Sequence, residues 1–144
     1  MLMRAAGIVG ISPRRFTPMT TLAGPDPVPV PDLVRCVFDQ GRLDAVWTSD
    51  IMYLHTDQGW LYLCAIRDGC SRRVIGWAIE DHMRADLVEV ALRMAVTLGG
   101  QLPGKVVFHA DRGSQYTSAQ IANVATALDV LRSMSCTGVC LLTG

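Results

Sequence analysis

No charge of either sign is in surplus: thirteen Lys and Arg offset thirteen Asp and Glu across the 144 residues, for a formal net charge of zero. A protein that attracts polyanions through a global positive field is thereby excluded, so any nucleic-acid contact must come from a local patch. Lysine is nearly missing, with Lys105 alone beside twelve arginines, and Arg is the cation suited to bidentate phosphate contact. No apolar run reaches the roughly eighteen residues that a membrane span requires. The apolar stretch 5–11 precedes Arg14 and Arg15, the reverse of the order in a secretory or twin-arginine signal. Neither a membrane partner nor a targeting peptide is expected, and the location read from this is cytoplasmic. The five cysteines are odd in number and lack the paired C-x-x-C spacing of a zinc site, so buried, reduced thiols are the expectation. Glutamate is the scarcest acid, present only as Glu80 and Glu89.

Half of the residues are hydrophobic, which is material for one core rather than two. Residues 1–23 mix apolar and basic side chains without a clear period. Residues 24–31 hold four prolines in eight positions and predict an extended polyproline-type linker. Asp32 is placed to cap a short helix over 32–39, carrying Leu33, Val34, Val37 and Phe38, so that 24–45 reads as linker plus helix. From Val46 onward the period becomes that of strands. Runs at 46–56, 60–66 and 73–79, joined by short Gly-containing turns, predict an antiparallel meander. A helix opens at Asp86, with Glu89 as a capping-box-like partner, and Leu87, Ala91, Met94 and Leu98 mark one face. A strand over 105–110 follows that helical crossover and should pair parallel with an earlier strand. Thr117 and Gln120 suggest a capping box for a helix whose Ile121, Val124, Ala125 and Leu128 face the sheet. A short strand over 130–134 completes an α/β fold with a mixed sheet.

Two carboxylates stand out. Asp50 lies mid-strand on the face of Met52 and Leu54, where an unpaired buried charge would cost several kcal/mol, so it is exposed, ion-paired or metal-bound. Asp111 ends the strand 105–110, the position at which open α/β sheets place their chemistry, though an Asp before Arg-Gly also serves as an ordinary turn residue. If the two strands are parallel neighbours, both carboxylates reach one end of the sheet, and a cation is then needed to neutralise them. Mg²⁺ suits such oxygen ligands. His109 shares the face of Asp111 and reads as a hydrogen-bonded residue behind it. Arg67, Arg72 and Arg73 cluster at a hairpin, either gripping phosphates or solvated. Gln115 and Tyr116 either contact DNA or pack their loop.

Several stretches occur together and in order: Trp47-Thr-Ser-Asp50-Ile-Met-Tyr53, Gly59-Trp-Leu-Tyr-Leu63, Asp68 with Ser71-Arg72, Gly76-Trp77, and His109-Ala-Asp111-Arg-Gly-Ser-Gln-Tyr-Thr-Ser118. This pattern resembles the catalytic core of bacterial insertion-sequence transposases, the integrase-type core also found in retroviral integrases. The resemblance implies a ribonuclease H-like fold over 46–144, with 1–23 as the remnant of an upstream helical DNA-binding region. It also implies a site of three carboxylates holding Mg²⁺ (or Mn²⁺) for phosphodiester cleavage and strand transfer in DNA transposition and integration. Asp50 and Asp111 match the first two, as catalytic and metal-binding residues, with His109 behind them. With that resemblance, Arg72, Arg73, Arg112, Gln115 and Tyr116 are the candidates for DNA contact.

The third carboxylate, a Glu, falls past Gly144 at the family's spacing, and Leu141-Leu-Thr-Gly144 stands where the family tends to read Trp-Asp-Asn-Ala. The expectation is therefore a core truncated before its carboxy-terminal helix and inactive in strand transfer. Its partners would be DNA, at element ends and target, together with full-length transposase or further copies of itself. The alternative is a non-enzymatic piece that binds DNA or the intact transposase.

Overall fold

The computed structural model describes residues 29–102 and 104–135. The expected amino-terminal remnant, most of the proline-rich stretch and residues 136–144 lie outside them. Five strands form one mixed sheet: β1 (Val46–Thr56), β2 (Gly59–Asp68), β3 (Val74–Glu80), β4 (Val106–Ala110) and β5 (Val130–Met134). Their order is β3-β2-β1-β4-β5. The meander β1-β2-β3 is antiparallel, while β4 joins β1 in parallel and β5 joins β4 in parallel. Parallel neighbours need a crossover, and helix α1 (Ala85–Gly99) supplies the one from β3 to β4. A single-turn helix α2 (Ser114–Thr117) and helix α3 (Ala119–Ala127) connect β4 to β5.

Both longer helices cover one face of the sheet. Leu87, Val88, Ala91, Leu92 and Ala95 of α1, with Ile121 and Val124 of α3, enclose Trp47, Cys64, Ile66 and Phe108 in one core. Burying a Leu such as Leu87 or Leu92 completely stabilises the fold by about 1.5–3 kcal/mol. Gly76 lets α1 approach β3 with backbone against backbone: a Cβ there would overlap the Ala91 carbonyl oxygen and lie 2.8 Å from Ala95 Cβ. The buried face of α1 is thus 87, 88, 91, 92 and 95. The expected Leu98 has the angular position of that stripe but is 66% exposed, because it stands one residue before the end of α1, where the helix borders an open cleft with Leu43 and Ile75.

Residues 32–39 correct a second expectation. Asp32 Oδ1 does accept from the amides of Val34 (3.0 Å) and Arg35 (2.9 Å), but Arg35 and Cys36 then take φ of 48° and 63°. The chain turns left-handed and no helix propagates, a known competition between local side-chain bonds and helix. The segment lies on the second face of the sheet instead, with Val34 and Phe38 against Ala45, Val46 and Val107. It is anchored by Leu33 N donating to Ser133 Oγ at 2.9 Å. Cys64 and Cys70 are free thiols, whereas Cys36 is disulfide-bonded, which corrects the expectation of reduced cysteines throughout.

Helix α3 is capped by Ser118, whose Oγ accepts from Ile121 N at 3.3 Å, rather than by Thr117. Gln120 is drawn away from any capping box, since its Nε2 donates to Asp86 Oδ1 and Glu89 Oε2, both at 2.7 Å, and so ties α3 to α1.

Candidate active site

In the parallel pair β1 and β4, Val46, Trp47 and Thr48 stand opposite Val107, Phe108 and His109. Continuing that register by two residues sets Asp50 opposite Asp111 at the carboxyl end of β4. Adjacent strands are about 4.8 Å apart, so the sheet delivers the two acids to one rim. Both are exposed, and both line a cleft of about 370 Å³ together with Tyr53, Met83, Gly113 and Gln115.

Each carboxylate is oriented by its own backbone. Asp50 Oδ1 accepts from Ile51 N at 2.8 Å, and Asp111 Oδ1 accepts from Gly113 N at 3.0 Å. Among the described residues neither joins an ion pair, and the second oxygen of each has no hydrogen-bond partner. Two like charges on one cleft, with uncommitted oxygens, make a donor set for a hard cation that keeps part of its water shell. The far wall is the turn between β3 and α1: Gln115 Nε2 donates to the Met83 carbonyl at 3.2 Å, and the Tyr53 hydroxyl reaches Met83 Sδ at 3.3 Å. Beneath the floor, Tyr116 OH bonds Ser49 Oγ at 2.9 Å, and Ser49 Oγ lies 3.5 Å from Cys64 Sγ. Burial holds the Tyr116 phenol and the Cys64 thiol above their ordinary ranges, so both stay neutral.

The family model described as an integrase core domain matches residues 42–140. The InsF transposase of insertion sequence IS3fB from Escherichia coli strain K12 is 37% identical over 138 residues, which cover 96% of this chain and 47% of that protein. The transposase of insertion sequence element IS904 from Lactococcus lactis is 33% identical over 105 residues, covering 73% of this chain and 41% of that one. This chain belongs to the integrase core family.

Its relatives in that family are insertion-sequence transposases, and it spans about half the length of the curated relatives it matches. Among solved structures, the HTLV-2 integrase catalytic core domain in complex with magnesium superposes with a TM-score of 0.56 at 16% identity, covering 63% of this chain and 60% of that one. A chain in the structure of a simian T-cell lymphotropic virus intasome in complex with PP2A regulatory subunit B56 gamma gives 0.58 at 17%, covering 65% of this chain and 32% of that one. These likenesses establish the ribonuclease H-like fold.

Within this integrase core the other residues singled out from the sequence separate into groups. Gln115 lines the cleft beside the two aspartates. Arg112 is exposed near it, its Nε donating to the Ser135 carbonyl at 2.9 Å. Tyr116 also borders the cleft, but it is 3% exposed and its ring is tilted against Phe108 in the core. His109 is 2% exposed. Its Nδ1 and Nε2 meet Ser133 Oγ at 2.9 Å and Ser135 Oγ at 3.1 Å, and its ring meets Phe38 edge-on. It joins β4 to β5 and does not line the cleft. Arg72 and Arg73 follow β2, whose last residue Asp68 pairs with Trp47. They therefore sit at the opposite end of the sheet from Asp111, about 10 Å or more along the strand direction from Asp50. Arg73 lines a separate cleft there with Asp44 and Asp68.

Sequence reading missed Tyr53, Met83 and Ser49. Tyr53 carried a usable signal, three residues after Asp50 on the same strand. Met83 carried none, because only the packing of the β3–α1 turn against the loop after β4 brings it in. Glu80, Asp81 and His82 also place ligand atoms within 4.8 Å of one another at the end of β3. They neighbour Met83 but do not line the cleft.

Proposed function

We propose that this chain provides the two-aspartate part of the catalytic core of an insertion-sequence transposase, acting on DNA phosphodiesters with a divalent cation. The observation that supports the reading best is the placement of Asp50 and Asp111 two residues beyond the last rung of two parallel strands, both on one cleft. The donor set fits Mg²⁺ or Mn²⁺: among the described residues that line the cleft there are two carboxylates, no thiolate and no imidazole, and the rim is open to solvent. When bound, such a cation polarises a phosphate oxygen and activates a hydroxyl for in-line attack. The protein's own contribution is to hold the two acids at one rim, to close one wall with Gln115 and Met83, and to offer Arg112 at the mouth for a backbone phosphate. Arg72 and Arg73 belong in this reading to a second, more distant contact with the same DNA. Element ends and target DNA are the substrates, further copies or the full-length transposase are the partners, and the location is cytoplasmic.

A second reading has one specific observation behind it. Among the described residues, Asp50 and Asp111 are the two carboxylates that line the cleft, and neither Glu80 nor Glu89 does. On that reading the isolated chain binds cation and DNA without transferring strands. Titration with Mn²⁺, followed by electron paramagnetic resonance, tests what the two readings share. Saturable binding that is lost in Asp50→Asn and in Asp111→Asn is expected, and binding that is equal in all three proteins would overturn the metal assignment. Mg²⁺-dependent joining of element ends to a target plasmid then separates the enzyme from the binder.

A further inference from the structure

The β1–β4 ladder ends at Thr48 opposite His109, two residues short of Asp50 and Asp111. Beyond that rung no backbone pairing between these strands holds the two acids at a set spacing. Each carboxylate bonds only to an amide in its own loop or strand. On the β5 side the segment after β4 is held by Ser135 N donating to the Ala110 carbonyl at 3.2 Å and by Arg112 Nε on the Ser135 carbonyl at 2.9 Å. On the β1 side one side-chain bond closes the gap: Tyr116 OH with Ser49 Oγ at 2.9 Å. Ser49 immediately precedes Asp50, and Tyr116, in the single-turn helix α2, follows Asp111 by five residues.

We propose that the buried Ser49–Tyr116 hydrogen bond is a positioning device that sets the Asp111 loop at the right distance from Asp50 for both to hold one cation. The inference rests on the metal reading given above and adds residues to it. Ser49, Tyr116 and Cys64 are each 3% exposed or less, so water does not substitute readily when the bond is lost. A rigid ring on one side and a strand residue on the other make the tie short and specific. Without it the loop samples wider arrangements, and apparent cation affinity falls by the fraction of time spent in the competent one.

The test uses the full chain with Mn²⁺ as probe. Tyr116→Phe keeps the ring and removes the hydroxyl, Ser49→Ala removes the other partner, and Val124→Ala serves as a control that loosens the core away from the tie. Tyr116→Phe and Ser49→Ala are each expected to bind Mn²⁺ roughly three- to tenfold more weakly, the range of one net hydrogen bond. The double variant should be no weaker than the weaker single one, because both remove the same bond. Val124→Ala should melt earlier yet bind Mn²⁺ as the parent does. Unchanged affinity in Tyr116→Phe, in a parent that binds, overturns the proposal. Should the parent bind no Mn²⁺, the metal reading fails by itself, and amide hydrogen exchange over residues 112–115 decides the tie. Faster exchange in Tyr116→Phe supports it, and identical exchange sinks it.

Discussion

Asp50 and Asp111 stand at matched positions on neighbouring parallel strands, each two residues past the last paired rung. Two like charges in that relation repel, and among the described residues no cationic side chain forms an ion pair with either. Replacing one with Asn therefore removes repulsion while breaking no long-range bond. Asp50→Asn and Asp111→Asn are expected to leave thermal stability within about 0.5 kcal/mol of the parent, or to raise it, while Mn²⁺ binding drops by at least about tenfold. Calorimetry and a metal titration on the same samples check this, and a large loss of stability would mark these acids as structural.

Gly76 predicts a cost of a different kind. A methyl group there meets the Ala91 carbonyl oxygen and Ala95 in the α1 backbone, and helix and sheet must separate to admit it. Gly76→Ala should lose about 1–3 kcal/mol. Gly104→Ala, where nothing lies within 4 Å, should change stability by no more than about 0.5 kcal/mol. Urea melts of the two variants compare them directly.

His109 makes stability depend on pH. Burial pushes its imidazole below the ordinary value, against a smaller opposing pull from Asp32. The unfolded chain therefore takes up a proton before the folded one does, so this stabilisation is full above the unfolded histidine pKa and is lost as pH falls through the depressed folded value. Melting temperature should decline on acidification from pH 7.5 toward pH 5. His109→Asn, which can still bond Ser133 and Ser135, should flatten that decline, and an identical slope in the variant would show that another group is responsible.

The sheet face away from the helices predicts self-association. Met52, Leu63 and Ile79 form one cross-strand row, and Ala65 with Trp77 forms the next. Met52, Trp77 and Ile79 are 44%, 49% and 43% exposed, and β3 is also an edge strand. Exposed apolar surface at an unpaired edge is an association site. Sedimentation should reveal concentration-dependent oligomers, and Ile79→Lys should shift the population toward monomer with little change in stability.

Local pattern made most of the sheet readable. β1 and β5 take the bounds expected of them, and the meander and the parallel insertion of β4 follow from β-branched runs separated by short turns or by a helix. Where expectation failed, a side chain had two competing partners. Asp32 looked like a helix cap and made those bonds, but left-handed residues at Arg35 and Cys36 stopped the helix. Gln120 looked like a capping-box partner and bonds across to Asp86 and Glu89 instead.

The candidate site divides the same way. Asp50, Asp111 and the family's motif around them are properties of the chain, visible because a carboxylate in an apolar strand and another at a strand end are out of place by local rules. That the two acids share a rim was decided by the β1–β4 register, which no local pattern encodes. Tertiary packing likewise turned Tyr116 inward onto Ser49, enclosed His109 between two serines, and carried Arg72 and Arg73 to the far end of the sheet. Sequence specifies which groups are available and how each strand alternates. Which groups meet depends on contacts between residues far apart in the chain, and those form only when the sheet and its helices close on one another.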